Sequence, residues 1–256
     1  GSFGHVFLMT GSKGMAGASI LSATATLRSG AGLATVFGVE ENREILQTSV
    51  PEAMYKTDLD DIEKYSVFAF GPGIGTTDST IQIFQEILIS SPFRGLGGSL
   101  ILDADALNII AQHPDFLNII PKNSILTPHP KEFERIFGEC INSLQRIQKA
   151  QQKAIELGII IVLKGAYTAI CSPDGNVYFN STGNPGMATG GMGDVLTGII
   201  AGLLAQHYTP LQSAQLGVFI HGISADLALE DQSEESILPR DVIENLGKAF
   251  KILHQK

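Results

Sequence analysis

The sequence predicts an α/β fold: a mostly parallel sheet covered by helices on both faces, with an antiparallel hairpin at one edge. Three observations predict it. Short β-like runs alternate with longer helix-like stretches along the 256 residues, the order that produces strand–helix–strand units. Several of the β runs, such as Ile159-Ile160-Ile161-Val162-Leu163, are continuously apolar, which suits strands buried on both faces. Residues 167–172 and 177–180 are separated by Pro173-Asp174-Gly175-Asn176, turn chemistry that folds one strand back on another. No Pro/Ser-rich linker, charge block or internal repeat divides the chain, so residues 1–256 are expected to form a single domain.

Taken in order, the first strand is expected over residues 6–10 and ends in Gly11-Ser12-Lys13-Gly14. A helix of small residues follows over 17–29, closed by the glycines of Arg28-Ser29-Gly30-Ala31-Gly32. Its small side chains leave room for a ligand or for close packing against the sheet. A strand over 33–39 and another over 66–70 come next, the latter ending in Gly71-Pro72-Gly73-Ile74-Gly75 ahead of a helix over 77–89. The run 99–103 ends in Asp103-Ala104-Asp105, with a short helix beginning Ala106-Leu107-Asn108. The run 124–127 ends in Thr127-Pro128-His129-Pro130 ahead of a helix over 131–137, and a further helix covers 143–157. The run 159–164 ends in Lys164-Gly165 and leads into the hairpin; helices over 195–206, 210–230 and 240–251 complete the chain. In a parallel sheet ligands sit at the carboxyl ends of strands. Five unusual segments fall at such ends here, and if the sheet is parallel all of them line one rim.

The composition narrows the function. A net charge of −9 argues against nucleic acid, which needs a basic footprint, but leaves room for a local pocket for a phosphorylated small molecule. Cys140 and Cys171 have neither the number nor the spacing of a disulfide framework or zinc site, and are expected as packing residues in a reducing cytoplasm. Every apolar run is interrupted before membrane-spanning length, no signal peptide is visible, and no membrane partner is expected. The chain enters its first β run almost at once, with no leading helix, as expected of a trimmed chain or a segment of a longer polypeptide.

The most informative stretch is Thr189-Gly190-Gly191-Met192-Gly193-Asp194-Val195-Leu196-Thr197-Gly198. Glycines let a backbone approach an anion, and a helix N-terminus attracts phosphate through unpaired N–H groups. A carboxylate there repels phosphate unless it has a chemical task, so Asp194 reads as a general base; the alternative is an ordinary helix cap. Lys164 closes an apolar strand, which suits an anion above it, with Gly165 allowing close approach; alternatively it extends to the sheet edge. His129, held between two prolines, has little backbone freedom and suits a pre-positioned contact. Glu132, one turn on, can hold a Mg²⁺-bound water or simply favour a helix start. Of the two aspartates, Asp105 is expected to cap the short helix and Asp103 to face the ligand. The loop 71–75 lacks the full dinucleotide fingerprint and its acidic partner, so a Rossmann NAD site is not expected; a loop that lets a ligand pass close to the backbone is. His5, His113, His207, His221 and His254 carry no local signal.

Together these segments resemble one family. Gly11–Ala18 and Arg28–Gly32, then 71–75, 102–108, 127–133, 162–165 and 183–196 occur in the order found in the NAD(P)H-hydrate dehydratases of the ribokinase-like superfamily, and the resemblance covers nearly the whole chain. It implies a ribokinase-like three-layer αβα sandwich and a metabolite-repair enzyme. Such an enzyme removes water from hydrated NADH or NADPH (NADHX, NADPHX) at the expense of ADP or ATP, with Mg²⁺ on the nucleotide phosphates. Bacterial members generally use ADP, giving AMP and phosphate through a phosphorylated hydroxyl. By matching positions, the resemblance puts the hydrated dinucleotide near Ala18, Gly75, His129 and Asp194. It puts the adenine nucleotide on Lys164, Gly165, Ala166, Tyr167 and Thr168 and near Gly190, Gly191 and Gly193. Asp194 becomes the catalytic base and Glu132 a water-mediated holder of the metal. Relatives imply a homo-oligomer, and bifunctional ones carry an epimerase domain ahead of this one, so an N-terminal fusion in the full-length protein is an expectation. Two rivals remain. A superfamily kinase acting on a vitamin precursor or sugar alcohol often carries Asn where His129 stands. A non-catalytic nucleotide-binding module gains nothing from a carboxylate at Asp194.

Overall fold

The computed structural model describes residues 3–89 and 99–254. Its centre is a nine-stranded sheet. In chain order the strands are β1 (His5–Met9), β2 (Leu33–Phe37), β3 (Met54–Lys56), β4 (Val67–Phe70), β5 (Ser99–Leu102), β6 (Ile125–Leu126), β7 (Ile160–Leu163), β8 (Ala169–Cys171) and β9 (Val177–Phe179). The helices are α1 (Ala16–Arg28), α2 (Arg43–Ser49), α3 (Asp78–Ile89), α4 (Ala104–Gln112), α5 (Pro130–Phe137), α6 (Ser143–Leu157), α7 (Met192–Ala205), α8 (Pro210–Ala228) and α9 (Pro239–His254).

The spatial strand order is β3-β2-β1-β4-β5-β6-β7-β8-β9. Pairing is parallel from β3 through to β7, and antiparallel between β7 and β8 and between β8 and β9. The hairpin therefore sits at the sheet edge, as its turn predicts. Strand alternation divides the core. Phe7, Phe68, Phe70, Leu102 and Ile161 point to one face and meet Phe84 of α3, Leu107 of α4 and Phe133 of α5. Val6, Leu8, Val36, Ile101 and Val162 point to the other and meet Ala23 of α1, Leu196 and Ile200 of α7, and Val218 of α8. Each of the large buried side chains contributes ~1.5–3 kcal/mol relative to exposure. This is the three-layer αβα arrangement, with α9 packed outside α7 and α8 through Val242, Ile243 and Leu246.

Helix α7 is buried along almost its whole length, Val195 to Ala205, because it lies between the sheet, α1, α8 and α9. The small residues of α1 serve this packing. A Cβ at Gly198 of α7 would stand 2.4 Å from the Ser22 carbonyl oxygen, so the two helices touch backbone to backbone. Two elements were not anticipated, β3 and α2; α2 buries one side chain, Leu46.

The topology also opens a crevice. The chain winds outward from β1 to β3, then returns to place β4 on the other side of β1. The crevice at such a reversal is the usual ligand site of an open α/β sheet. Here the two loops that flank it are tied together: the Gly11 amide donates to the Pro72 carbonyl at 2.7 Å.

Candidate active site

The carboxyl ends of five adjacent parallel strands, β1, β4, β5, β6 and β7, carry Gly11–Gly14, Gly71–Gly75, Asp103, Thr127–His129 and Lys164. The N-terminus of α7 lies over them. A Cβ at Gly193 would come within 3.4 Å of Lys164 Nζ and 3.3 Å of an Asp103 carboxylate oxygen.

Helix α7 starts without a side-chain cap. Its N-cap is Gly191, at a left-handed φ of 93° that disfavours any side chain. Asp194 is the third residue of the helix, so it is not the cap. A reciprocal capping box is also impossible, because Gly191 has no side chain to offer. The first-turn amides of Met192, Gly193 and Asp194 have no intrahelical acceptor. Among the described residues the Asp194 carboxylate has no hydrogen-bond or ion-pair partner. Its pKa is pushed up to about 7, first by burial and then by the Asp103 charge, against the opposing pull of Lys164.

Below it lies a polar cluster. Lys164 Nζ donates to Asp103 Oδ1 at 2.6 Å and stands 3.9 Å from Glu132 Oε2. Thr197 Oγ1 donates to the other Asp103 oxygen at 3.0 Å. Burial alone would depress the Lys164 pKa, but the charges of Asp103 and Glu132 outweigh it and raise the pKa, so the ammonium stays charged. Asp103 is 1% exposed. The ligand-facing role expected of it is thus corrected: it supports Lys164 from beneath, since its two oxygens are already taken. Asp105 is corrected too. The N-cap position of α4 belongs to Asp103, whose side chain makes no cap bond. Asp105 Oδ2 instead accepts from the Gly75 amide at 2.9 Å and steadies the glycine loop. Between the two aspartates Ala104 adopts a φ of 45°, a conformation that costs a non-glycine residue on the order of 1 kcal/mol.

The start of α5 is built differently. His129 is its N-cap, and its Nδ1 accepts from the amides of Lys131 and Glu132. Glu132 Oε2 reaches back to accept from the His129 amide at 2.7 Å. Because Nδ1 is an acceptor, the ring proton sits on Nε2, 3.4 Å from Glu132 Oε1. Burial, only partly offset by Glu132, holds the His129 pKa below its usual value, so the ring is neutral at pH 7.

The remaining predicted residues fall around the same rim. Ala18 is buried in α1, and a Cβ at Gly73 would lie 3.0 Å from its methyl group. Gly165, Ala166, Tyr167 and Thr168 form the β7–β8 loop. Thr168 Oγ1 donates to the Gly165 carbonyl at 3.1 Å, while Tyr167 is 75% exposed. Gly190 is exposed, and a Cβ there would meet nothing within 4 Å. The structure thus brings Asp194, Lys164, Gly193, His129 and Glu132 into one cluster and leaves Tyr167 and Gly190 open at its border. Thr197 was missed. The available signal was its spacing: three residues after Asp194 puts it on the same helix face.

A family model described as NAD(P)H-hydrate dehydratase matches residues 6–248. The chain belongs to the NAD(P)H-hydrate dehydratase family. The ADP-dependent (S)-NAD(P)H-hydrate dehydratase of Bacillus subtilis is 35% identical over 264 residues, covering 98% of this chain and 90% of that protein. The bifunctional NAD(P)H-hydrate repair enzyme of Moorella thermoacetica is 37% identical over 276 residues. The chain spans about half the length of that curated relative, 51%, and matches it along its own whole length. A crystal structure of the ADP/ATP-dependent dehydratase of B. subtilis, co-crystallised with ATP and Mg²⁺, gives a TM-score of 0.84 at 33% identity and covers 98% of this chain and 90% of that one. The ribokinase of Thermotoga maritima, with a TM-score of 0.58 at 13% identity, shows the fold alone: ribokinase-like, as members of the dehydratase family are expected to be.

Proposed function

We propose that this chain dehydrates (S)-NADHX and NADPHX to NADH and NADPH, using ADP and releasing AMP and phosphate, with ATP as the alternative donor. The observation that carries the reading is Asp194: a carboxylate without a partner among the described residues, its pKa pushed up to about 7, in the first turn of a helix whose first amides have no intrahelical acceptor. A general base works best with a pKa near the operating pH.

Asp194 accepts the proton of the substrate hydroxyl as that oxygen attacks the terminal phosphorus of the nucleotide. The amides at Gly193 and Asp194 and the Lys164 ammonium stabilise charge on the transferring phosphoryl group, which is most of what phosphoryl-transfer catalysis requires. The ring nitrogen then expels phosphate from the neighbouring carbon. Loss of a proton from the next carbon restores the dihydronicotinamide. The substrate hydroxyl oxygen leaves within the phosphate, so AMP, phosphate and NADH account for every atom.

The dinucleotide is assigned to Ala18, Gly75, His129 and Asp194, and the adenine nucleotide to Lys164–Thr168 with Gly190, Gly191 and Gly193. His129, neutral and with its proton on Nε2, offers a donor to the substrate. Among the described residues no three His, Cys, Asp or Glu side chains form a metal cage. That suits Mg²⁺, which takes one or two carboxylates together with substrate phosphates and water. Glu132 Oε1, engaged only by a 3.4 Å contact with His129, is the group that would reach a Mg²⁺-bound water. When bound, the ion neutralises phosphate charge in a site where one lysine faces Asp103, Glu132 and Asp194.

The same reading has residues 1–256 working as one cytoplasmic domain in a homo-oligomer, with an epimerase domain ahead of it in the full-length protein. No helix among the described residues is long and apolar enough to cross a membrane. The test is to mix the protein with NADHX, Mg²⁺ and ADP or ATP and follow the absorbance of regenerated NADH. Absence of signal with either nucleotide overturns the proposal, and accumulation of a phosphorylated small alcohol would point to a kinase instead.

A further inference from the structure

A hydrogen-bonded chain leaves the active-site rim and ends on the Arg135 guanidinium, which makes no ion pair among the described residues. The Gly75 amide donates to Asp105 Oδ2 at 2.9 Å. Asn108 Nδ2 donates to Asp105 Oδ1 at 3.2 Å. Arg135 donates from a terminal guanidinium nitrogen to Asn108 Oδ1 at 2.8 Å. That one bond fixes the direction of the Arg135 head and uses one of its five donors. Among the described residues it has no ion pair: Asp105 is engaged by Gly75 and Asn108, and the adjacent Glu134 is taken by Arg146 at 2.7 Å.

Arg135 is exposed. With Thr76, Asp105, Asn108, Ala111 and Gln112 it lines an open pocket of about 480 Å³, within the range of small-ligand sites. The pocket begins next to Gly75 and Asp105, at the rim itself. Along α5, Arg135 lies six residues beyond His129, or ~9 Å at the helical rise. It is close enough that its charge helps depress the His129 pKa.

An oriented guanidinium without an ion pair suits a phosphate, to which its fork can bind bidentately. We propose that this pocket receives a phosphate group of the dinucleotide substrate, with Arg135 as its anchor. The inference rests on the dehydratase reading for the identity of the substrate. It adds a second anchoring point that the Asp194 cluster lacks: the reacting ring lies at the α7 terminus, and the phosphate-bearing part extends along α4 and α5. The phosphate is either the bridging pyrophosphate, common to NADHX and NADPHX, or the 2′-phosphate carried by NADPHX alone.

The test is Arg135→Gln, which removes the charge but keeps a donor for Asn108, so that the α4–α5 contact survives. The expected result is a loss of about tenfold in kcat/KM for the hydrate, the scale of one charge-assisted hydrogen bond, with the KM for ADP unchanged. An equal loss with NADHX and NADPHX places the pyrophosphate in the pocket. A loss confined to NADPHX places the 2′-phosphate there. Unchanged kcat/KM with both hydrates, or a rise in the KM for ADP instead, overturns the proposal. Calorimetric binding of NADH and NADPH to wild type and to R135Q gives the same comparison without turnover. Wild-type protein that binds NADPH through Arg135 but shows no dehydration would contradict the dehydratase reading and leave the pocket standing.

Discussion

Two helix N-termini face the same rim, and they are finished in opposite ways. Helix α5 is sealed by its own side chains, since His129 and Glu132 satisfy its first amides reciprocally. Helix α7 begins at a bare glycine and keeps its first amides free. A sealed terminus holds His129 and Glu132 in place and has little left to give an anion. An open terminus suits an anion, and there the chain places a half-buried carboxylate that has no partner among the described residues. The comparison separates residues that are held in place from the residue proposed to react.

The largest effect expected from this contrast is at the open end. Asp194→Asn should lower kcat by about 100-fold or more, the scale of losing a general base, with ADP affinity by calorimetry unchanged. Wild-type turnover in that variant would reduce Asp194 to a helix-dipole residue. Next is the cluster beneath. Lys164→Met leaves Asp103 buried without its cation and should cost about 2 kcal/mol or more in urea unfolding, along with most activity. The pair Lys164→Met with Asp103→Asn should recover stability but not turnover; recovery of both would show that Lys164 acts only as a structural partner.

At the sealed end the effects should be smaller. Glu132→Gln keeps the capping geometry, because glutamine also serves in a capping box. It should therefore melt within a few degrees of wild type and raise the Mg²⁺ concentration needed for half-maximal rate. An unchanged Mg²⁺ dependence would remove Glu132 from the metal site. A further effect is thermodynamic. The pKa of Asp194 is raised in the fold, so the folded state holds its proton to higher pH than the unfolded chain, and wild type loses stability as pH rises from about 4 to about 7. Asp194→Asn lacks this loss. Its Tm should exceed that of wild type above pH 7, and the difference should close towards pH 4; a gap independent of pH would contradict the raised pKa.

Much of the fold was legible because burial on both faces writes itself as unbroken apolar runs, as in β7, and because Pro173–Asn176 has few uses other than a turn. Strand β3 was not legible. Met54, Tyr55 and Lys56 bury only Tyr55, so no apolar pattern marks them. Helix α2 turns only Leu46 inward, too little for a 3.6-residue periodicity. Within the site, the strand-end residues were found because their chemistry is out of place at the ends of apolar strands. Asp105 was misjudged because an aspartate at a helix start is usually a cap, and the sequence does not show that Asp103 already holds that position. The Asn108–Arg135 contact joins residues 27 apart on two helices, a pairing set by packing and invisible to local spacing.

If the open end of α7 carries a base that titrates near neutrality, the pH dependence of kcat/KM for the hydrated dinucleotide will show it. The rate should rise tenfold per pH unit at low pH and level off above about 7, and that limb should be lost in Asp194→Asn. A wild-type profile that is flat between pH 5 and pH 8, or a limb that persists in Asp194→Asn, would contradict it.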